Sequence, residues 1–173
     1  MRRWKRDGIS EQVRSIVMPS MSDERFTLDT NILVYSIDLR AADRHELAKQ
    51  IIRRAALRPC LLAVQAISEF YAAVTRKRMM QQPEASRVAN DLMDLFPTVP
   101  ASASAVRAAL AIAVNGQASY WDALLVATAA EAGCTTILTE DLADGSRLFG
   151  VRILNPFAGT ALAPEAAALL ATD

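Results

Sequence analysis

Apolar residues follow two patterns along the chain. Short unbroken runs occur in RFTLD (25–29), CLLAV (60–64), TTILT (135–139) and VRIL (151–154). Between them lie longer stretches in which apolar positions recur every three or four residues. The short runs predict strands buried on both faces, and the longer stretches predict amphipathic helices. NILVYSID continues from the first strand as a helix. Asp43 can cap a second helix through about Leu57, with Leu47, Ile51 and Ile52 on one side, before Pro59 ends it. After CLLAV a helix is expected through Arg78, and another from Pro83, a good first-turn residue, to about Phe96. TVP, bounded by Pro97 and Pro100, reads as a brief strand. The Ala-rich stretch 102–114 is helical and stops near Asn115-Gly116, and Ser119 caps a helix that runs to Ala132 before Gly133.

Strands that alternate with helices give an α/β fold with a parallel sheet covered on both faces and right-handed connections. Residues 1–24 carry no sustained period and read as a loose N-terminal extension, within which Met18 and Met21 offer later starts. The regular pattern spans 25–157. The Ala-rich tail 158–173 is compatible with a short docked helix or with disorder.

Composition narrows the class. A 52% hydrophobic fraction over 173 residues supports one packed domain. Arg107 and Glu131 interrupt the longest apolar stretches, so none reaches the ~20 residues of a spanning helix. The basic start MRRWKR is followed by Glu11 and Arg14, which spoil a secretory signal. A soluble, cytoplasmic protein without membrane contact is expected. The two cysteines, Cys60 and Cys134, make no disulfide framework and read as small buried hydrophobes. The single histidine, His45, sits among charges and reads as a solvated helix residue; its isolation argues against His-rich zinc sites and a Ser-His-Asp triad. Formal net charge is zero, yet residues 40–78 hold nine Lys or Arg against three acids, a local balance of +6. Such clustering suits a phosphate-binding surface or a solvated helix face. Arg40, Arg44, Arg76, Lys77 and Arg78 are the candidate nucleic-acid contacts.

Four acids stand where strands and helices should meet: Asp29 in FTLDTNIL, Glu69 in AVQAISEFY, Asp122 in SYWDALLVATAA and Asp141 in TTILTEDL. Ligands of open parallel sheets bind beyond the carboxyl ends of the strands. Asp29 ends the first strand and Asp141 lies two residues past the TTILT strand. Glu69 and Asp122 fall in the early turns of their helices. Taken singly, each has an ordinary role as a turn, cap or exposed helix acid. Taken together, carboxylates beside a core call for a shared counter-charge, and oxygen-rich sites suit Mg²⁺ or Mn²⁺.

These segments resemble the PIN-domain family, most closely its VapC-type toxin branch. The match runs through LDTNILVYSID (28–38), SEF (68–70), WDALLVATAAEAGC (121–134) and ILTEDLADGSRLFGVRILNPF (137–157). The resemblance implies a Rossmann-like three-layer α/β/α sandwich with a central parallel sheet of four or five strands, the first lying between the second and fourth. In that arrangement Cys60 and Cys134 are too far apart for a disulfide. It also implies that Asp29, Glu69, Asp122 and Asp141 form a catalytic, metal-binding quartet. Asn31 then supports the first acid, Asp29, Thr139 is the hydroxyl residue near the site, and Glu140 lies beside Asp141, adding charge or pointing away. The implied activity is Mg²⁺- or Mn²⁺-dependent endoribonuclease chemistry on RNA, tRNA included. The protein would act as the toxin of a type II toxin–antitoxin pair, silenced by a small cognate antitoxin. A homodimer through helices around 84–96 and 102–114 is implied too, although core packing accounts for those helices equally well. The alternative is a non-catalytic PIN-like module that binds RNA or protein. A receiver-type phosphoacceptor is disfavoured because Thr30 and Asn31, not a second acid, follow Asp29, and no lysine follows Lys77. A structure-specific DNA nuclease would need added modules that this short chain lacks.

Overall fold

The computed structural model describes residues 24–171, so the extension expected over 1–24 lies outside them except for Glu24. The elements in chain order are β1 (Phe26–Leu28), α1 (Thr30–Tyr35), a 3₁₀ turn (Leu39–Ala41), α2 (Asp43–Ala55), β2 (Cys60–Ala63), α3 (Val64–Arg76), α4 (Gln82–Leu95) and β3 (Thr98–Val99). There follow α5 (Ala103–Val114), α6 (Tyr120–Glu131), β4 (Thr136–Leu138), β5 (Arg147–Leu148), β6 (Val151–Leu154), β7 (Phe157–Ala158), β8 (Ala161–Leu162) and α7 (Pro164–Leu169). The main sheet runs β3-β2-β1-β4-β6-β5, with β1 between β2 and β4 as the resemblance implied. Its first five strands are parallel, and helices flank it in an α/β/α arrangement. Every residue of β1, β2 and β4 is buried, which explains their unbroken apolar runs.

Chain direction along the sheet reverses beside β1: β2 and β3 lie on one side, β4 and β6 on the other. Such a reversal opens a crevice at the carboxyl ends of the strands. One core cluster joins Phe26, Leu28, Leu62, Ile137 and Ile153 of the sheet to Ile32, Ile51 and Phe70 of α1, α2 and α3. Helix α5 pairs with α6 through Ala105, Ala109, Ala123 and Leu124. Residues 123–129 of α6 are all buried, as an all-round apolar helix requires.

One expectation changes and two are filled in. Beyond the five parallel strands, which match the four or five implied, β5 adds an antiparallel edge to β6. The turn between them uses Phe149 (φ 52°) and Gly150 (φ 81°), a left-handed pair suited to a two-residue hairpin. Phe149 gives no turn signal in sequence, since such φ values favour Gly and Asn. His45 is not solvated: its side chain is 13% exposed and its Nδ1 lies 2.9 Å from the Tyr35 carbonyl, because α2 packs on α1. The tail is a docked helix, with Ala166, Leu169 and Leu170 buried in the main core and Arg152 paired to Glu165. Both cysteines are buried and free, and burial pushes both thiols up, that of Cys134 to about 11. Among the described residues no helix is long and apolar enough to cross a membrane.

Candidate active site

Asp29 occupies the residue between β1 and α1. Its N–H continues the ladder to the Leu138 carbonyl (3.0 Å), which anchors the backbone and sends the side chain into the crevice edge. It is 6% exposed. Thr139 Oγ1 donates to its Oδ2 at 2.7 Å, and the same hydroxyl oxygen accepts from the Asp141 N–H at 3.1 Å. One buried threonine at the end of β4 thereby ties two acids from different segments. Asn31 Nδ2, expected to support Asp29, donates instead to Asp141 Oδ2 at 2.6 Å.

The other two acids have their own supports. Asp122 is the third residue of α6. Ser119 accepts from its N–H at 3.1 Å and donates its hydroxyl to Oδ2 at 2.6 Å, a reciprocal cap. Glu69 sits on the second turn of α3. Gln65, one turn earlier, donates to Glu69 Oε1 at 2.7 Å and to the Trp121 carbonyl at 2.9 Å, joining α3 to α6. Thr30 Oγ1 reaches Glu69 Oε2 at 3.4 Å.

All four acids line one open groove of about 380 Å³. Arg76, Lys77 and Trp121 border it as well, and Trp121 is 58% exposed. No three of the acidic side chains among the described residues lie close enough to hold a metal ion as they stand. Each accepts a hydrogen bond from a neutral side chain: Thr139, Asn31, Ser119 or Gln65. The electrostatics still mark the site. Burial, with Asp141 and Asp122 adding to it against the Thr139 bond, pushes the Asp29 carboxyl up to about 6. Burial also raises Asp141, helped by the charges of Asp122 and Glu140. Asp29 has no cationic partner among the described residues. A buried carboxylate that faces other acids, and is met only by the Thr139 hydroxyl and the Thr30 backbone, fits a cation, and an all-oxygen donor set fits Mg²⁺ or Mn²⁺.

A PIN-domain family model matches residues 26–143. The chain belongs to the PIN-domain family. No curated protein matches this PIN-domain chain. Solved structures that share its fold include three toxin or toxin–antitoxin proteins. The VapC20 toxin of Mycobacterium tuberculosis, described as cleaving the sarcin-ricin loop, is 18% identical, with a TM-score of 0.53 over 65% of this chain and 86% of that one. DNA-bound VapBC of Salmonella typhimurium is 18% identical, with a TM-score of 0.54 over 75% and 96%. VapBC2 of Rickettsia felis, bound to a fragment of its promoter, is 14% identical, with a TM-score of 0.53 over 74% and 96%. At these identities the likeness is one of fold.

The remaining candidates separate. Arg76 and Lys77 border the acidic groove. Lys77 also lines an adjoining pocket of about 300 Å³ with Arg40 and Arg78, where Arg40 is paired to Asp38 at 3.0 Å. Arg44 lines neither; it is paired with Glu140 at 2.5 Å. Glu140 lies outside the groove lining. Sequence reasoning missed Gln65 and Tyr35. Gln65 had a signal, since residues four apart on a helix are neighbours. Tyr35, which donates its hydroxyl to Glu140, had none.

Proposed function

We propose that this PIN-domain protein is a metal-dependent endoribonuclease, the toxin of a type II toxin–antitoxin pair. The observation that carries the reading is Asp29: a buried carboxylate with no cationic side chain paired to it among the described residues, at the reversal point of the sheet, sharing a groove with Glu69, Asp122 and Asp141. Asp29 and Asp141 would hold Mg²⁺ or Mn²⁺, with Asp122 and Glu69 completing or supporting the set. The ion, when bound, supplies charge neutralisation at the phosphate and an activated water. Thr139 and Asn31 orient Asp29 and Asp141, Ser119 orients Asp122, and Gln65 orients Glu69. The fold shared with a toxin described as cleaving the sarcin-ricin loop and with two VapBC assemblies supports an RNA substrate, tRNA among the candidates, and a small cognate antitoxin. Cytoplasmic action follows from that role. Total RNA incubated with the protein should yield discrete cuts with Mn²⁺ or Mg²⁺ and none in EDTA. Uncut RNA with metal present would favour the non-catalytic binding module.

Arg76 and Lys77 stand beside the acids, and Lys77 leads into the Arg40–Arg78 pocket, which gives a phosphate strand a path off the acidic site. RNA affinity should therefore fall linearly in log–log plots against salt, and Arg76→Gln with Lys77→Gln should lower that slope by roughly 1–2. A salt-insensitive affinity rules out the path. The apolar residues left exposed on α4 and α5 (Met93, Leu95, Leu110 and Val114) suit a second copy of the chain. Sedimentation equilibrium should return a dimer mass that Val114→Asp reduces; a monomer at micromolar concentration would count against this face.

A further inference from the structure

Two consecutive acids follow β4, and they go to different places. Asp141 lines the groove, while the Glu140 side chain is 14% exposed and lies outside the lining. Both Glu140 oxygens are engaged. The Tyr35 hydroxyl donates to Oε1, and Arg44 Nη2 donates to Oε2 at 2.5 Å. The Arg44 guanidinium also lies over the rings of Tyr35 (5.7 Å) and Phe157 (5.2 Å), which meet edge to face at 6.0 Å. Segments from α1, α2, the end of β4 and β7 thus converge on one carboxylate. A planar cation that stacks on both rings while one nitrogen reaches Glu140 suits this position, and lysine would lose the planar stack.

We propose that Arg44, acting through Glu140, is a positioning residue for the acidic groove: it holds Glu140 out and so fixes the orientation of Asp141 within. The inference rests on the divalent-metal reading of the groove. Residues 140 and 141 share a peptide unit, so anchoring one side chain restricts the other's backbone. Partners outside the ligand shell of a metal commonly shift affinity or activity about 10–100-fold. Arg44 then makes no phosphate contact, although it lies in the same basic stretch as Arg76 and Lys77.

Calorimetric titration of Mn²⁺ into the full chain tests this. Loss of a nearby cation would, by Coulomb's law alone, tighten divalent binding to an acidic site. A positioning role has the opposite sign. Arg44→Ala should weaken Mn²⁺ binding about 10–100-fold. Arg44→Lys should recover only part of that, and Tyr35→Phe, which keeps the ring and removes one donor, should weaken binding less. Lys49→Ala, a charge removed from the same helix, should leave Mn²⁺ affinity unchanged. In EDTA, the salt slope of RNA binding by Arg44→Ala should equal the wild-type slope. Unchanged or tighter Mn²⁺ binding in Arg44→Ala and Tyr35→Phe, with wild type binding normally, overturns the inference and leaves the metal reading standing. A slope reduced by about one would make Arg44 a phosphate contact and overturn it too. Wild-type protein that binds no Mn²⁺ removes the metal reading, and the positioning role with it.

Discussion

Asp29→Asn should lower metal-dependent RNA cleavage by ~10³-fold or more, a loss of about 4 kcal/mol in transition-state stabilisation. The substitution is close to isosteric. Its amide oxygen can still accept from Thr139 Oγ1, which now bonds Asp29 at 2.7 Å, so the end of β4 stays tied to the end of β1. What disappears is the formal charge of the most buried acid in the groove. The loss should fall mainly on kcat if, as proposed, the bordering Arg76 and Lys77 and not Asp29 hold the RNA. RNA affinity measured in EDTA should be equal to or above wild type, since one repulsive charge is gone. Cleavage within tenfold of wild type would place the reacting centre elsewhere in the chain.

The same residue should make metal-free stability fall as pH rises. The Asp29 carboxyl moves from 3.8 to about 6 in the folded protein, chiefly through burial. Between those values the folded chain keeps a proton that the unfolded chain has lost. Stability is therefore greatest below about pH 4 for this group and declines until about pH 6 is passed. Two pH units correspond to about 3 kcal/mol. Asp141, also raised, acts in the same direction. Urea unfolding in EDTA from pH 4 to 7, with wild type and Asp29→Asn compared at each pH, isolates the Asp29 contribution from the other carboxylates. At pH 7 the variant should be the more stable by up to about 3 kcal/mol, and at pH 4 the two should converge. Equal pH profiles would show that Asp29 titrates normally. Mn²⁺ should reverse the decline in wild type only, because the ion offsets the charge that burial penalises.

The strands were legible in sequence because a parallel sheet covered on both faces needs unbroken apolar runs, and FTL, CLLA and TIL are such runs. The helix cap was legible at Ser119, which accepts from the third helical N–H; Ser102, read as the first residue of its helix, caps α5 in the same way. The cap of α2 was off by one: Ala42, at φ 50°, stands in the cap position and Asp43 opens the helix. The hairpins β5–β6 and β7–β8 were not legible, since strands of two residues carry no periodicity.

The chain by itself determined the α/β alternation and which four acids follow the strands or open the helices beside them, because both are set by local hydrophobic period and residue order. Tertiary structure decided how those acids are held. Thr139 binds Asp29 across 110 positions, Asn31 binds Asp141 across another 110, and Gln65 spans from α3 to the backbone of α6. It also divided the basic stretch, sending Arg76 and Lys77 to the groove and Arg44 to Glu140. Neighbours in sequence share composition, but hydrogen bonds and ion pairs are made by direction and distance, which only the packing of α1, α2 and α3 around the reversal point of the sheet supplies.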